Sequence, residues 1–257
     1  ELVEGKKVII VNGRTHAYEI PEEGMQTQTW GKLGRMELAT GYLAMLNEIG
    51  VENMILTCAA GGINHPLKKR QPKLFSQENL PVIGLIATDV NKAYPSVQMG
   101  PYGGFASRRF VGLKDGDRRL MDFFRQSTSS EESFFIPNVH YCTSPTTPAY
   151  EDPGTIWELA KNGVQAVGMS YSYEKEYLSG TTNIGRFMGI AVITNSVELK
   201  YIGKKVSKKG ISVEELSQHY SHEFEFVSFA NHEEVMEMGR KANERLGKAL
   251  AQLTRFI

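Results

Sequence analysis

Arg14, His16 and Ser170, together with the small-residue run Ala59-Ala60-Gly61-Gly62, are the parts of this chain whose types suit the grip of an oxyanion. A guanidinium presents a planar fork that matches two oxygens of a phosphate. His16 follows Arg14 by two positions and so falls on the same side of an extended segment. Ser170 adds a hydroxyl donor, and small residues after Cys58 let backbone N–H groups approach an anion without side-chain obstruction. Each piece alone has an ordinary explanation: an arginine at a strand end pairs with a surface acid, a lone histidine packs, small residues make a turn. Their shared position just beyond apolar runs makes them a set. No Walker-type lysine loop accompanies them, which disfavours a nucleotide hydrolase of that class. The six histidines are scattered and neither cysteine belongs to a paired motif, so no metal centre and no cofactor are expected.

The elements that must position these residues read as alternating strands and helices. Strands are expected at 7–12, 53–58, 82–87, 139–143, 164–169 and 190–195, where short apolar runs rich in β-branched residues stand, the second running into a tight turn at 59–62. Helices are expected at 30–49, where Leu33, Met36, Ala39, Leu43, Leu46 and Ile49 form an apolar face widened by Leu38, Tyr42 and Met45, and near 120–125 and 156–161, the last stopped by Asn162-Gly163. A final helix follows Asn231, with Glu234 completing a capping box and Val235, Met238, Ala242, Leu246, Ala249 and Leu253 on one face. The pattern predicts an α/β fold over 1–257 as a single domain, with a mixed, mainly parallel twisted sheet flanked by helices. In such sheets ligands collect beyond the carboxyl ends of the strands, where the candidate residues lie. The lysine-rich stretch 203–210 and the run Lys68-Lys69-Arg70 read as solvated surface.

Composition sets the outer bounds. The 257 residues are 41% hydrophobic and 23% charged, enough for a substantial core and unlike disordered, collagenous or coiled-coil chains. Twenty-nine basic and twenty-nine acidic residues cancel, which removes the long-range field on which non-specific nucleic-acid or anionic-membrane binding depends. No apolar run is long enough for a membrane span. Two cysteines cannot make a disulfide framework, so a reducing compartment is expected, the cytoplasm, or an organelle if a transit peptide preceded Glu1.

Five segments in order resemble the trimeric purine nucleoside phosphorylase family, which also contains methylthioadenosine phosphorylases. They are Gly13-Arg14-Thr15-His16-Ala17-Tyr18-Glu19, Leu56-Thr57-Cys58-Ala59-Ala60-Gly61-Gly62-Ile63-Asn64, Ala166-Val167-Gly168-Met169-Ser170, Ile193-Thr194-Asn195 and Ala230-Asn231-His232-Glu233-Glu234-Val235. The resemblance implies that Arg14, His16, Ser170 and the backbone of Ala59 hold inorganic phosphate, the co-substrate. It implies that Tyr18, Met169 and His232 contact the ribose, and that Tyr150, Glu151 and Asn195 read the base. Catalysis would rest on Asn195, Glu151 and His16.

The chemistry suits the residue types. Cleaving an N-glycosidic bond builds positive charge on the ribose and negative charge on the departing base; a phosphate below the sugar answers the first, and an amide donating to purine N7 answers the second. An ionised glutamate accepts from N1–H and a 2-amino group, so Glu151 with Asn195 implies inosine or guanosine rather than adenosine. The expected function is phosphorolysis of such nucleosides to free purine and ribose 1-phosphate, by a homotrimer. The family's opening strand and Gly/Ser-rich phosphate loop have no counterpart after Glu1, Tyr171-Ser172-Tyr173-Glu174 stands where the family has Thr-x-Pro-Glu, and Thr147-Pro148-Ala149 replaces Gly-Pro-Ser. These departures define the alternative, an inactive phosphorylase-like subunit of a larger assembly.

Overall fold

The computed structural model describes residues 2–3, 6–13, 16, 19, 31–64, 75–76, 78–92, 135–144, 149–181, 186–201, 224–228 and 232–256. Its strands are β1 (Leu2–Val3), β2 (Lys6–Lys7), β3 (Asn53–Ile63), β4 (Val82–Asn91), β5 (Phe135–Thr143), β6 (Ala166–Gly168), β7 (Arg186–Tyr201) and β8 (Phe224–Ser228). Its helices are α1 (Gly31–Glu48), α2 (Pro153–Lys161), α3 (Ser172–Thr181) and α4 (His232–Phe256). The expected helix near 120–125 and both lysine-rich stretches lie outside the described residues.

The sheet is mixed as expected, but its closure into a barrel corrects the expected open twisted sheet flanked by helices. Five strands run in the order β3-β6-β5-β4-β7, and β7 pairs back onto β3, closing a barrel to which β8 is added at β7. Pairs β3–β7, β4–β5 and β5–β6 are parallel, whereas β3–β6 and β4–β7 are antiparallel. The physical cause is the reach of β7, which runs 16 residues instead of the expected 190–195. One side of it carries β3 from Asn53↔Arg186 to Ile63↔Val197, and the other carries β4 through Val82↔Ile193 to Leu85↔Ile190. The short β6 then bridges β5 and the far end of β3. Register breaks at Ala60/Gly61 and on both sides of Ile86 add the local bending that closure requires.

Two further expectations are overturned. The run 59–62 is not a turn but a continuation of β3 through Ile63. Gly62 can have no side chain there, because a Cβ would meet the Phe75 ring at 2.4 Å and Ile193 at 2.8 Å. Asn64 fixes that plug, its side chain bonding the Phe75 carbonyl at 2.7 Å and the Phe75 N–H at 3.0 Å. The expected buried strand at 7–12 is reduced to Lys6–Lys7, paired antiparallel with Leu2–Val3, and Ile9, Ile10 and Val11 are 53%, 77% and 47% exposed. Among the described residues this run has no ladder partner beyond Leu2–Val3, so Ile9, Ile10 and Val11 have no strand beside them to bury their side chains.

Packing follows from the alternation of side chains along each strand. Met54, Leu56, Cys58 and Ala60 of β3 share one cluster with Val82 and Ile86 of β4, Val139 and Tyr141 of β5, Ala166 of β6, and Ala191 and Ile193 of β7. A ring of so few strands has an interior narrow enough for such side chains to fill. Leu43 and Leu46 of α1 and Leu178 of α3 join that cluster, while Met45 and Ile49, expected on the same face of α1, are exposed. Outside the ring, α2 packs Ile156, Trp157, Leu159 and Ala160 against Cys142, Val167 and Val197. On another flank Ala242, Leu246 and Leu250 of α4 cover Ile83, Leu85, Met188, Ile190 and Val192. None of the helices described is long and apolar enough to cross a membrane.

Candidate functional site

The crossing of β5, β6 and β3 holds the first candidates. Thr143 lies opposite Gly168, and the Ser144 N–H donates to the Gly168 carbonyl at 2.8 Å. Gly168 must be glycine, since a Cβ would come 2.5 Å from the Tyr141 hydroxyl and 2.8 Å from the Ala59 carbonyl. That close approach brings the Ala59 backbone beside the segment leading through half-buried Met169 to Ser170. Ser170 is 5% exposed, and its carbonyl accepts from the Tyr141 hydroxyl at 2.7 Å and from Thr143 Oγ1 at 3.0 Å. Thr143 Oγ1 also lies 2.8 Å from Ser172 Oγ and accepts from the Ser172 N–H at 3.3 Å. Helix α3 starts directly beyond, and the positive end of its dipole favours negative charge on that side.

Glu151 is placed by the start of α2. Asp152 is the N-cap, accepting from the N–H groups of Gly154 at 2.8 Å and Thr155 at 3.0 Å, with Pro153 at the first helical position. The other end closes as expected at Asn162-Gly163: Val164 N–H reaches Leu159 at 3.0 Å, Gly163 N–H reaches Ala160 at 2.9 Å, and Gly163 takes φ 77°. Bonds from Thr155 hold the Asp152 carboxyl below its ordinary value. Glu151, one residue earlier, is half-buried; burial pushes its carboxyl up, opposed by a hydrogen bond from the Ser144 side chain. So Ser144 joins Glu151 to the same crossing that carries Ser170. Burial drives the Cys142 thiol up to about 12, which leaves it an inert core group. Tyr150 is 50% exposed.

Asn195 stands across from Gly61, which in turn lies opposite Val167 of β6. A Cβ on Gly61 would come 3.2 Å from Asn195 Nδ2, so the glycine gives the amide its room against β3. Thr194 Oγ1 lies 3.3 Å from Asn195 Oδ1, and Asn195 itself is half-buried. Ala59 and Asn195 thus sit on paired strands of the ring, Ser170 lies two residues beyond β6 and Glu151 just before α2, linked by Gly61, Gly168 and Ser144.

The remaining candidates are placed differently. His16 is half-buried and turned on its own loop: its N–H donates to Glu19 Oε2 at 2.7 Å and its Nδ1 lies 3.3 Å from the same oxygen. His232 opens α4. Arg14 and Tyr18 lie outside the described residues. Among the described residues, no three His, Cys, Asp or Glu side chains gather as metal ligands. Sequence reasoning missed Thr143, Ser144 and Glu174, which tie the site together; a buried acid beginning a helix announces itself only once the fold shows what surrounds it.

Comparison with known proteins adds an independent line. No family model matches the chain. The chain is 26% identical over 194 residues to purine nucleoside phosphorylase 1 of Bacillus subtilis, covering 76% of this chain and 62% of that protein. It is 24% identical over 168 residues to purine nucleoside phosphorylase 1 of Geobacillus stearothermophilus, covering 65% of this chain and 52% of that one. It therefore spans less than two thirds of the length of these curated relatives. A Schistosoma purine nucleoside phosphorylase solved in complex with hypoxanthine shares the fold, with a TM-score of 0.65, 19% identity, and 98% of this chain and 74% of that one covered. By sequence and by fold together, the chain takes its place with the purine nucleoside phosphorylases at the level of the superfamily.

Proposed function

We propose that the chain catalyses phosphorolysis of 6-oxopurine nucleosides, inosine and guanosine, as a homotrimer. A phosphate oxygen bonds to C1′ of the ribose, the C1′–N9 bond breaks, and its electron pair leaves with the purine. Phosphate would lie against Ser170 and the Ala59 backbone, with Arg14 and His16 completing the grip. Tyr18, Met169 and His232 would face the ribose, and Tyr150, Glu151 and Asn195 the base. The Asn195 amide, donating to N7, would stabilise the charge that builds on the departing purine. Glu151, once ionised, would accept from N1–H; adenine lacks that proton and would leave the carboxylate unpaired.

The observation that carries the reading is the linkage of four candidates from distant parts of the chain. Ala59 meets Gly168 just before Ser170, Ser144 joins Glu151 to Gly168, and Gly61 separates Asn195 from Val167. A scaffold kept only for assembly has no need to hold a half-buried acid against its own desolvation. The test is release of hypoxanthine from inosine with and without inorganic phosphate. Phosphate-dependent release with formation of ribose 1-phosphate is expected; no release at high protein concentration would sink the proposal.

A second reading, an inactive subunit of a larger assembly, draws on the engagement of His16 by Glu19 and on the exposed run Ile9-Ile10-Val11. The same assay separates the two, because that reading expects no turnover together with a copurifying partner.

A further inference from the structure

The peptide that joins Ser170 to Tyr171 is held at both ends. Its carbonyl accepts from the Tyr141 hydroxyl at 2.7 Å and Thr143 Oγ1 at 3.0 Å, and its N–H donates to Glu174 Oε2 at 2.9 Å. Glu174 is fully buried, at 0% exposure, and its other oxygen accepts from the Tyr42 hydroxyl of α1. Tyr171 precedes α3 and Glu174 is the third residue of that helix, so their bond is the returning half of a capping box; a tyrosine cannot supply the other half. Tyr171 also stands at φ 89°, in the left-handed region that a bulky L-residue enters at a cost. Its ring meets Tyr141 edge-on, at 5.7 Å and 84°, and covers Gly189, where a Cβ would come 2.3 Å from it. Helix capping alone would be served by glycine at this position and an acid in solvent. A strained joint held by a buried acid, next to the candidate anion-binding serine, does something more specific.

We infer that Glu174 is a positioning residue for phosphate: by tying the Ser170–Tyr171 peptide to Tyr42 of α1, it fixes the direction of the Ser170 hydroxyl and backbone. This rests on the phosphorolysis reading. In the full chain, Glu174→Ala is expected to raise the KM for phosphate by about 10-fold or more, with kcat and the inosine KM within about threefold of the parent. Glu174→Gln keeps an acceptor oxygen for the Tyr171 N–H and is expected to restore most of the phosphate KM. Amide exchange across residues 169–174 should accelerate in the alanine variant and stay near the parent's in the glutamine variant. A phosphate KM unchanged in Glu174→Ala, or kcat and both KM values degraded alike in both variants, overturns the inference. Where Glu174→Ala does not fold, Tyr42→Phe leaves the carboxylate with one donor fewer and is expected to raise the phosphate KM at constant inosine KM; no such rise overturns it equally. Should the parent chain release no base from inosine, the phosphorolysis reading fails by itself. Calorimetric titration with inorganic phosphate then decides this inference, weaker binding in Glu174→Ala than in Glu174→Gln supporting it and equal or absent binding in the two overturning it.

Discussion

Glu151 carries two opposed demands. Burial favours its neutral form, whereas reading N1–H of a 6-oxopurine needs the ionised one. Its folded pKa is raised above the ordinary 4.5, so its neutral form contributes stability below that value, and this contribution is lost as pH rises through the folded pKa. Glu151→Gln removes that loss. We expect the variant to melt higher than the parent at neutral pH, by about 2–4 °C for each kcal/mol regained, and to show no advantage below the ordinary glutamate value. Activity on inosine and guanosine should fall far more than any residual activity on adenosine, and an equal loss on all three would remove Glu151 from base recognition. Asn195→Ala should cut turnover of inosine by about 10²-fold, as the loss of one preorganised donor does, and an unchanged rate would refute the N7 role. At this scale Ser170 stood out in the sequence by its hydroxyl just beyond an apolar run, whereas Glu151 and Asn195 stood out only through the family resemblance. Tyr171 and Glu174 did not, since a left-handed φ and a buried acid depend on the Tyr141 ring, the bare surface of Gly189 and the Tyr42 hydroxyl, all distant in the chain.

Elements matter here through their ends. The Asp152 cap fixes where α2 begins and therefore where Glu151 stands. Asp152→Ala is expected to cost about 1 kcal/mol in urea unfolding. The Asp152 pKa is depressed below 3.8 by its bonds from Thr155, so its contribution is present above that pH and fades as pH falls through the folded value. The parent and variant curves should therefore converge in acid, and a difference that persists there would mean that the cap is not the cause. Helix stops were readable because their signals are local, Gly50 after α1 and Asn162-Gly163 after α2, whereas the start of α2 at Pro153 lies three residues before the expected 156. Strand lengths were not readable. The extensions of β7 to Arg186 and Tyr201, and of β3 through Gly61 and Gly62, are made of residues that join a strand only because a partner runs alongside. Apolar character misled at Ile9-Ile10-Val11 for the converse reason, as burial there needs a neighbouring strand and, among the described residues, none pairs with that run.

At the scale of the molecule, ring closure brings Ala59 and Asn195 on paired strands beside the segments that carry Ser170 after β6 and Glu151 before α2. An open sheet would keep β3 and β7 in register but would not bring β6 between β3 and β5. Closure depends on tight interior packing around glycines. Gly62→Ala would drive a methyl group into Phe75 and Ile193, and such overpacking is expected to cost about 1–3 kcal/mol in urea unfolding; a neutral result would show that the plug over β3 gives way freely. Ile193→Ala, which empties a fully buried site in the ring, is expected to cost about 2–5 kcal/mol. The most direct measurement of the central claim is a crystal structure of the chain grown with hypoxanthine and phosphate. The account requires phosphate within hydrogen-bond distance of Ser170 and the Ala59 backbone, with the purine between Glu151 and Asn195. Density for both ligands elsewhere, or side chains of the protein filling that space, would contradict it.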